Sequence, residues 1–249
     1  LIDTVIHALD RAQETGADPS GILVIAPSKE SGARLRRELS ERLENYAAQT
    51  SMVRSVHSLA FALLRTAAEE ELRLITGAEQ DAVIRELLIG QAEDGHGSWP
   101  EEMRPALEYV GFARQLRDFL LRSIERGLGP GDLERLGHEY GRPMWSAAGE
   151  FLREYEHVQL LSRSHSYSAA ELVTAVLQRP ELLRDHPFHT IVVDDAQLLD
   201  PTAGKLILGL AAQANLVVVG GDTAQSVFAF RGASSRFLQD FPAAVSYTH

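Results

Sequence analysis

Three short apolar runs constrain this chain more than any other feature: residues 21–26 (GILVIA), residues 191–194 (IVVD) and residues 216–219 (LVVV). They are too short for an ordinary helix, rich in β-branched residues and without apolar–polar alternation, which is the pattern of buried strands. Helical periodicity separates them. Pro27 follows the first run, and a helix is predicted from there through Leu43. Residues 50–56 read as a further strand leading into a helix through Arg65, and Pro201 is placed in the first turn of a helix between the last two runs. Strand and helix in alternation specify an α/β domain on a parallel sheet. Ile2, Ile6 and Leu9 lie three or four apart, so the chain opens on a helix, and a preceding segment is expected upstream.

The middle of the chain breaks this pattern. Residues 78–91, 105–126 and 144–161 carry apolar side chains at helical spacing, and no strand is predicted among them. Glycine- and proline-rich residues 95–100 and 127–131 read as loops. The charge changes in the same place: between Thr66 and Leu160 stand 10 Arg, no Lys and 19 acidic residues, which is -9 of the chain's net -11. The α/β domain is therefore expected in two pieces, residues 1–65 and 166–249, interrupted by an all-helical insertion at residues 66–165.

Composition then removes whole classes of function. No run approaches the roughly 20 apolar residues of a membrane span. The absence of cysteine excludes disulfides, thiolate nucleophiles and Cys-ligated metals. Asp3 and Asp10 stand where a signal peptide would be basic, so a cytoplasmic, membrane-free protein is expected. A net charge of -11 by itself argues against a partner as negative as DNA, but the α/β flanks are close to neutral.

Open α/β sheets bind ligands at the carboxyl ends of their strands. Asp194 and Asp195 end one strand: such a pair can hold Mg²⁺ with one carboxylate while the other polarises a water, or simply cap the next helix. After the next strand comes Gly220-Gly221-Asp222-Thr223-Ala224-Gln225-Ser226-Val227-Phe228-Ala229-Phe230-Arg231-Gly232-Ala233. Here Gln225 and Arg231 can meet phosphate oxygens, and Phe228 and Phe230 can stack on bases. The plainer reading of the same stretch is a strand-end turn with two core phenylalanines.

The two clusters, in this order and spacing, resemble motifs II and III of the UvrD/Rep family of superfamily 1 helicases. The second matches at Gly221, Asp222, Gln225, Ser226, Phe230, Arg231, Gly232 and Ala233. Ser55-Val56-His57-Ser58-Leu59 resembles motif Ib, residues 22–34 with Ser28-Lys29 resemble motif Ia, and residues 166–172 resemble the short motif before motif II. The resemblance implies a RecA-like motor subdomain, with the insertion as its helical subdomain. It also implies ATP and Mg²⁺ as cofactors, and single-stranded or duplex DNA as partner with movement from 3′ to 5′ in repair or recombination. Carried over by position, Asp194 and Asp195 would hold the metal, with Asp195 also activating water. Gln225 would sense the γ-phosphate, Arg231 would couple motif III to the nucleotide, and Gln197 would lie between the ATP and DNA sites. Ser28, His57, Ser58, Phe228 and Phe230 would meet DNA.

The departures are as informative. Asp195 stands where the family has glutamate, one methylene longer, and no Gly-x-x-x-x-Gly-Lys-[Ser/Thr] loop occurs. The 249 residues alone are therefore expected neither to hydrolyse ATP nor to unwind DNA, and to bind single-stranded DNA weakly. The Asp-Asp-Ala-Gln form is similar to that of actinobacterial two-motor helicase–nucleases, which implies a partner motor or nuclease subunit. The rival expectation is a degenerate, non-catalytic motor subunit that tracks DNA or docks proteins. A receiver-like phosphoacceptor domain would lack both the insertion and the Gln-Ser-x-x-x-Phe-Arg-Gly-Ala run. A histidine metalloenzyme has no His-Glu-x-x-His to rest on, and His165, His186 and His189 fall in loop-like stretches.

Overall fold

The structure, a computed structural model, describes residues 1–43, 52–68, 71–161, 166–229 and 232–245. The chain forms two compact units, one of Leu1–Ala67 with Ala175–His249 and one of Ala68–Thr174.

The first unit is a parallel sheet flanked by helices. Its strands are β1 (Ile22–Ile25), β2 (Val53–Arg54), β5 (Thr190–Val193) and β6 (Leu216–Val219), in the spatial order β2-β1-β5-β6. Leu23 pairs with Ile191 and Val24 with Val192, and every residue of β1 and β5 is buried, as uninterrupted apolar runs require. β6 corrects the sequence reading, which made it a buried strand. It is an edge strand among the described residues, with Leu216 42% exposed. Apolar runs register strand formation but not position within the sheet.

Helices α1 (Ile2–Thr15), α2 (Lys29–Arg42), α3 (Val56–Ala67), α9 (Pro180–Arg184), α10 (Pro201–Ala211) and α11 (Arg236–Val245) complete this unit. Val5, Leu9 and Ala12 of α1 and Leu35 and Leu39 of α2 share a core with Ile22, Val24 and Val192. At α10, Pro201 occupies the first turn, and the Asp200 carboxylate caps it by accepting the Ala203 N–H at 2.8 Å.

The second unit contains α4 (Gly77–Asp94), a 3-10 turn (Glu101–Ala106), α5 (Val110–Glu125), α6 (Pro130–Glu139) and α7 (Pro143–Leu161). Ile84, Leu88, Trp99, Leu107, Leu120, Phe151 and Leu152 make its core. It is not wholly helical: β3 (Arg73–Leu74) pairs in parallel with β4 (Ser166–Tyr167). Two-residue strands leave no readable period, so this ladder is not legible from residue patterns. Helix α6 likewise begins inside residues read as loop, because Pro130 is its first residue and Asp132 accepts the Gly129 N–H at 3.1 Å. α6 and α7 approach closely at glycine: a Cβ on Gly149 would lie 2.6 Å from the Pro130 carbonyl oxygen.

Helix α8 (Ala169–Leu177) starts with a reciprocal cap. Glu171 accepts the Ser168 N–H at 2.6 Å, and Ser168 Oγ accepts the Glu171 N–H at 3.4 Å. Burial pushes the Glu171 carboxyl above its ordinary pKa against the pull of these hydrogen bonds. Burial also raises Glu156, with the Glu171 charge adding to it. A carboxyl raised in the folded state contributes stability below the unfolded pKa and loses it as pH rises through the folded value. Glu171→Gln keeps the acceptor for Ser168 and removes the charge, so its stability relative to the unmodified chain is expected to be greater at pH 8 than at pH 4. Urea denaturation at the two pH values measures this, and an equal difference at both would refute it.

Candidate functional site

The strand order β2-β1-β5-β6 reverses direction between β1 and β5, since the chain proceeds outward from β1 to β2 on one side and from β5 to β6 on the other. A crevice at the carboxyl ends of two such strands is where open α/β sheets bind ligands. Asp194 and Asp195 stand at that end of β5. The Asp194 N–H donates to the Ile25 carbonyl at 2.9 Å, which extends the ladder by one residue and fixes the carboxylate beside β1.

The Asp194 side chain is 17% exposed, and Arg34 Nη2 from α2 lies 3.9 Å from its Oδ2. Burial pushes the Asp194 carboxyl up, the neighbouring Asp195 charge pushes the same way, and Arg34 opposes both. Asp195 turns the chain with φ 45° and ψ 47°, a left-handed conformation that aspartate tolerates better than most residues.

Gln197 binds the two predicted clusters together. It is 2% exposed, in the 3-10 turn Ala196–Leu198. Its Nε2 donates to Asp195 Oδ1 at 3.3 Å, its Oε1 accepts the Asp222 N–H at 3.0 Å, and its carbonyl accepts Ser226 Oγ at 3.3 Å. The fit requires glycine at 221, where a Cβ would overlap Gln197 Oε1 and lie 3.1 Å from the Ala196 nitrogen. Backbone bonds from Ala196 N–H to the Gly220 carbonyl (3.0 Å) and from Gly220 N–H to the Val193 carbonyl (2.8 Å) reinforce the join. Losing the Gln197 side chain would leave the Asp222 N–H without this acceptor, at about 1 kcal/mol for the hydrogen bond.

The remaining predicted residues divide. Gln225 is exposed, and its Nε2 donates to Asp222 Oδ2 at 3.0 Å, while Asp222 Oδ1 accepts the Ala224 N–H at 2.9 Å. Phe228 is 39% exposed. Phe230 and Arg231 lie outside the described residues. Ser28 is the N-cap of α2, its Oγ accepting the Ser31 N–H at 3.1 Å. Ser58 is exposed in the first turn of α3, its N–H held by Ser55 Oγ at 3.2 Å. His57, next to it, is held below its ordinary pKa by burial, with the Asp200 charge pulling it up. Sequence reasoning did not single out Arg34, because one arginine among several on a helix has the signature of a solvated face.

Among the described residues no group of three or more His, Asp or Glu side chains is placed to hold a metal ion. Mg²⁺ does not require one. It commonly takes one or two carboxylates and completes its shell with water and phosphate. The adjacent Asp194 and Asp195, whose mutual repulsion Arg34 only partly offsets, suit that donor set. Among the described residues no helix is long and apolar enough to cross a membrane.

The chain is 26% identical over 255 residues to the putative ATP-dependent DNA helicase YjcD of Bacillus subtilis (strain 168), covering 94% of this chain and 30% of that protein. It is 24% identical over 242 residues to DNA helicase II of Escherichia coli (strain K12), covering 91% of this chain and 31% of that protein. It thus spans less than a third of these relatives. The sequence model of the UvrD/REP helicase N-terminal domain matches residues 1–246, and the chain belongs to that family.

Proposed function

We propose that this chain is the N-terminal motor region of an ATP-dependent DNA helicase or translocase that moves 3′ to 5′ on single-stranded DNA in repair or recombination. In this reading residues 1–65 and 166–249 are the motor subdomain and residues 66–165 its insertion. The observation that carries the proposal is the Gln197 bracket: its buried side chain bonds Asp195 and the Asp222 N–H, and its backbone carbonyl accepts Ser226 Oγ. A change at the carboxylates is thereby transmitted to the segment that carries Phe228.

Asp194 and Asp195 would hold Mg²⁺, which supplies positive charge to the phosphates of bound ATP. Asp195 would orient the attacking water and accept its proton at a carboxylate oxygen. Gln225, released from Asp222, would donate to the γ-phosphate, and Arg231 would pair with it. Phe228 and Phe230 would stack on bases, each such contact being worth about 1–3 kcal/mol, with Ser28, His57 and Ser58 along the same DNA track. A partner motor or nuclease subunit and a cytoplasmic setting complete the proposal.

A second reading, a non-catalytic motor subunit acting as a DNA-tracking or protein-docking scaffold, is favoured by Asp195. Its carboxylate reaches one methylene less far than glutamate, and a displacement of about 1 Å can cost on the order of 100-fold in rate. ATP hydrolysis by the full parent protein, with and without single-stranded DNA, decides between the two. DNA-stimulated turnover is expected, and Mg-ATP binding without turnover would establish the scaffold.

A further inference from the structure

We propose that Arg34 is a displaceable counter-ion for Asp194 that partly neutralises the carboxylate and gives way when Mg²⁺ arrives. The inference rests on the metal-site reading above.

Two features of the ion pair carry it. Packing fixes where Arg34 starts: α2 follows β1 directly, and its neighbouring residues Gly32, Leu35 and Leu39 are buried. The end of the side chain is loosely held, because Arg34 is 65% exposed and its single contact with Asp194 is 3.9 Å long, not a bidentate fork. Asp194 is by contrast 17% exposed and carries the added repulsion of Asp195, so it gains from any cation. An exposed pair of this length is weak. A magnesium ion coordinated at about 2.0–2.1 Å is both closer and doubly charged, and it displaces the guanidinium. Arg34 therefore competes with the metal and raises the Mg²⁺ concentration needed to occupy the site.

The test is the Mg²⁺ dependence of binding of a fluorescent ATP analogue to the full parent protein. Arg34→Gln is expected to lower the half-saturating Mg²⁺ concentration about two- to fivefold, the range that an exposed ion pair commands. Arg34→Lys, which keeps the charge, is expected to stay near the unmodified protein. In an Asp194→Asn background Arg34→Gln is expected to have no further effect. An unchanged or raised half-saturation in Arg34→Gln would overturn the proposal, even if Asp194→Asn abolishes the Mg²⁺ dependence and so upholds the metal site. Full Mg²⁺ dependence retained in Asp194→Asn would overturn both. The guanidinium is exposed, so Arg34→Gln leaves the fold intact, and an equal melting temperature verifies that.

Discussion

Asp194→Asn in the full parent protein is expected to reduce DNA-stimulated ATP hydrolysis by about 10²–10³-fold without loss of thermal stability. Both halves follow from one placement. The carboxylate sits at the strand end next to the reversal in strand order, where a bound phosphate group and its metal would lie. Its charge is a cost to the fold, since burial and Asp195 both oppose it and Arg34 only partly offsets them. The neutral isostere relieves that repulsion and keeps the shape, while the backbone N–H that bonds the Ile25 carbonyl is untouched. Turnover assays with single-stranded DNA, paired with calorimetric melting, measure the two effects. Turnover within a few-fold of the unmodified protein would remove Asp194 from the metal site. A large drop in melting temperature would make its role structural.

Phe151→Ala is expected to destabilise the second unit by about 3–5 kcal/mol. Phe151 has no exposed surface and lies 6.2 Å, centroid to centroid, from Trp99, which in turn meets Phe112 edge-on at 5.4 Å. The Trp99 ring also serves a buried polar chain, its Nε1 donating to Gln91 Oε1 at 2.6 Å and Gln91 Nε2 donating to Glu154 at 2.5 Å. Removing the phenyl ring opens a cavity beside an indole that cannot shift into it without breaking that chain. The chain's 2 tryptophans, Trp99 and Trp145, both belong to this unit, so urea titration followed by tryptophan fluorescence reads its unfolding directly. A loss below about 1 kcal/mol would mean that the core closes over the gap.

The sheet was legible in the sequence where burial is complete. The β1 and β5 runs are apolar throughout because both faces are covered, and that pattern needs no tertiary information to recognise. β6 has the same local composition as β5 yet lies at an edge, a property of what stands beside it. The Arg73–Leu74 pairing with Ser166–Tyr167 was illegible for a different reason: it joins residues far apart in sequence with too few positions to show alternation. In the candidate site the acidic pair and the Asp222–Ser226 loop could be read, because each is a compact motif. Their connection through Gln197 could not, since a hydrogen bond of 3.0 Å depends on where the two strand ends meet. Arg34 was lost among the arginines of α2 until the distance to Asp194 separated it from Arg36 and Arg37.

The β3–β4 ladder has a consequence for how the chain folds. Pairing β1 with β5 requires closing the whole loop between Ile25 and Thr190, one of the costliest kinds of contact for a folding chain. Closure entropy grows with loop length, each doubling adding about 0.6 kcal/mol. Once Arg73–Leu74 pairs with Ser166–Tyr167, everything between them contracts to one strand spacing, and the loop that remains is residues 26–72 and 168–189, less than half of the original length. The insertion then shortens the search of the sheet that it interrupts, and the order of events favours the second unit folding before the first is complete.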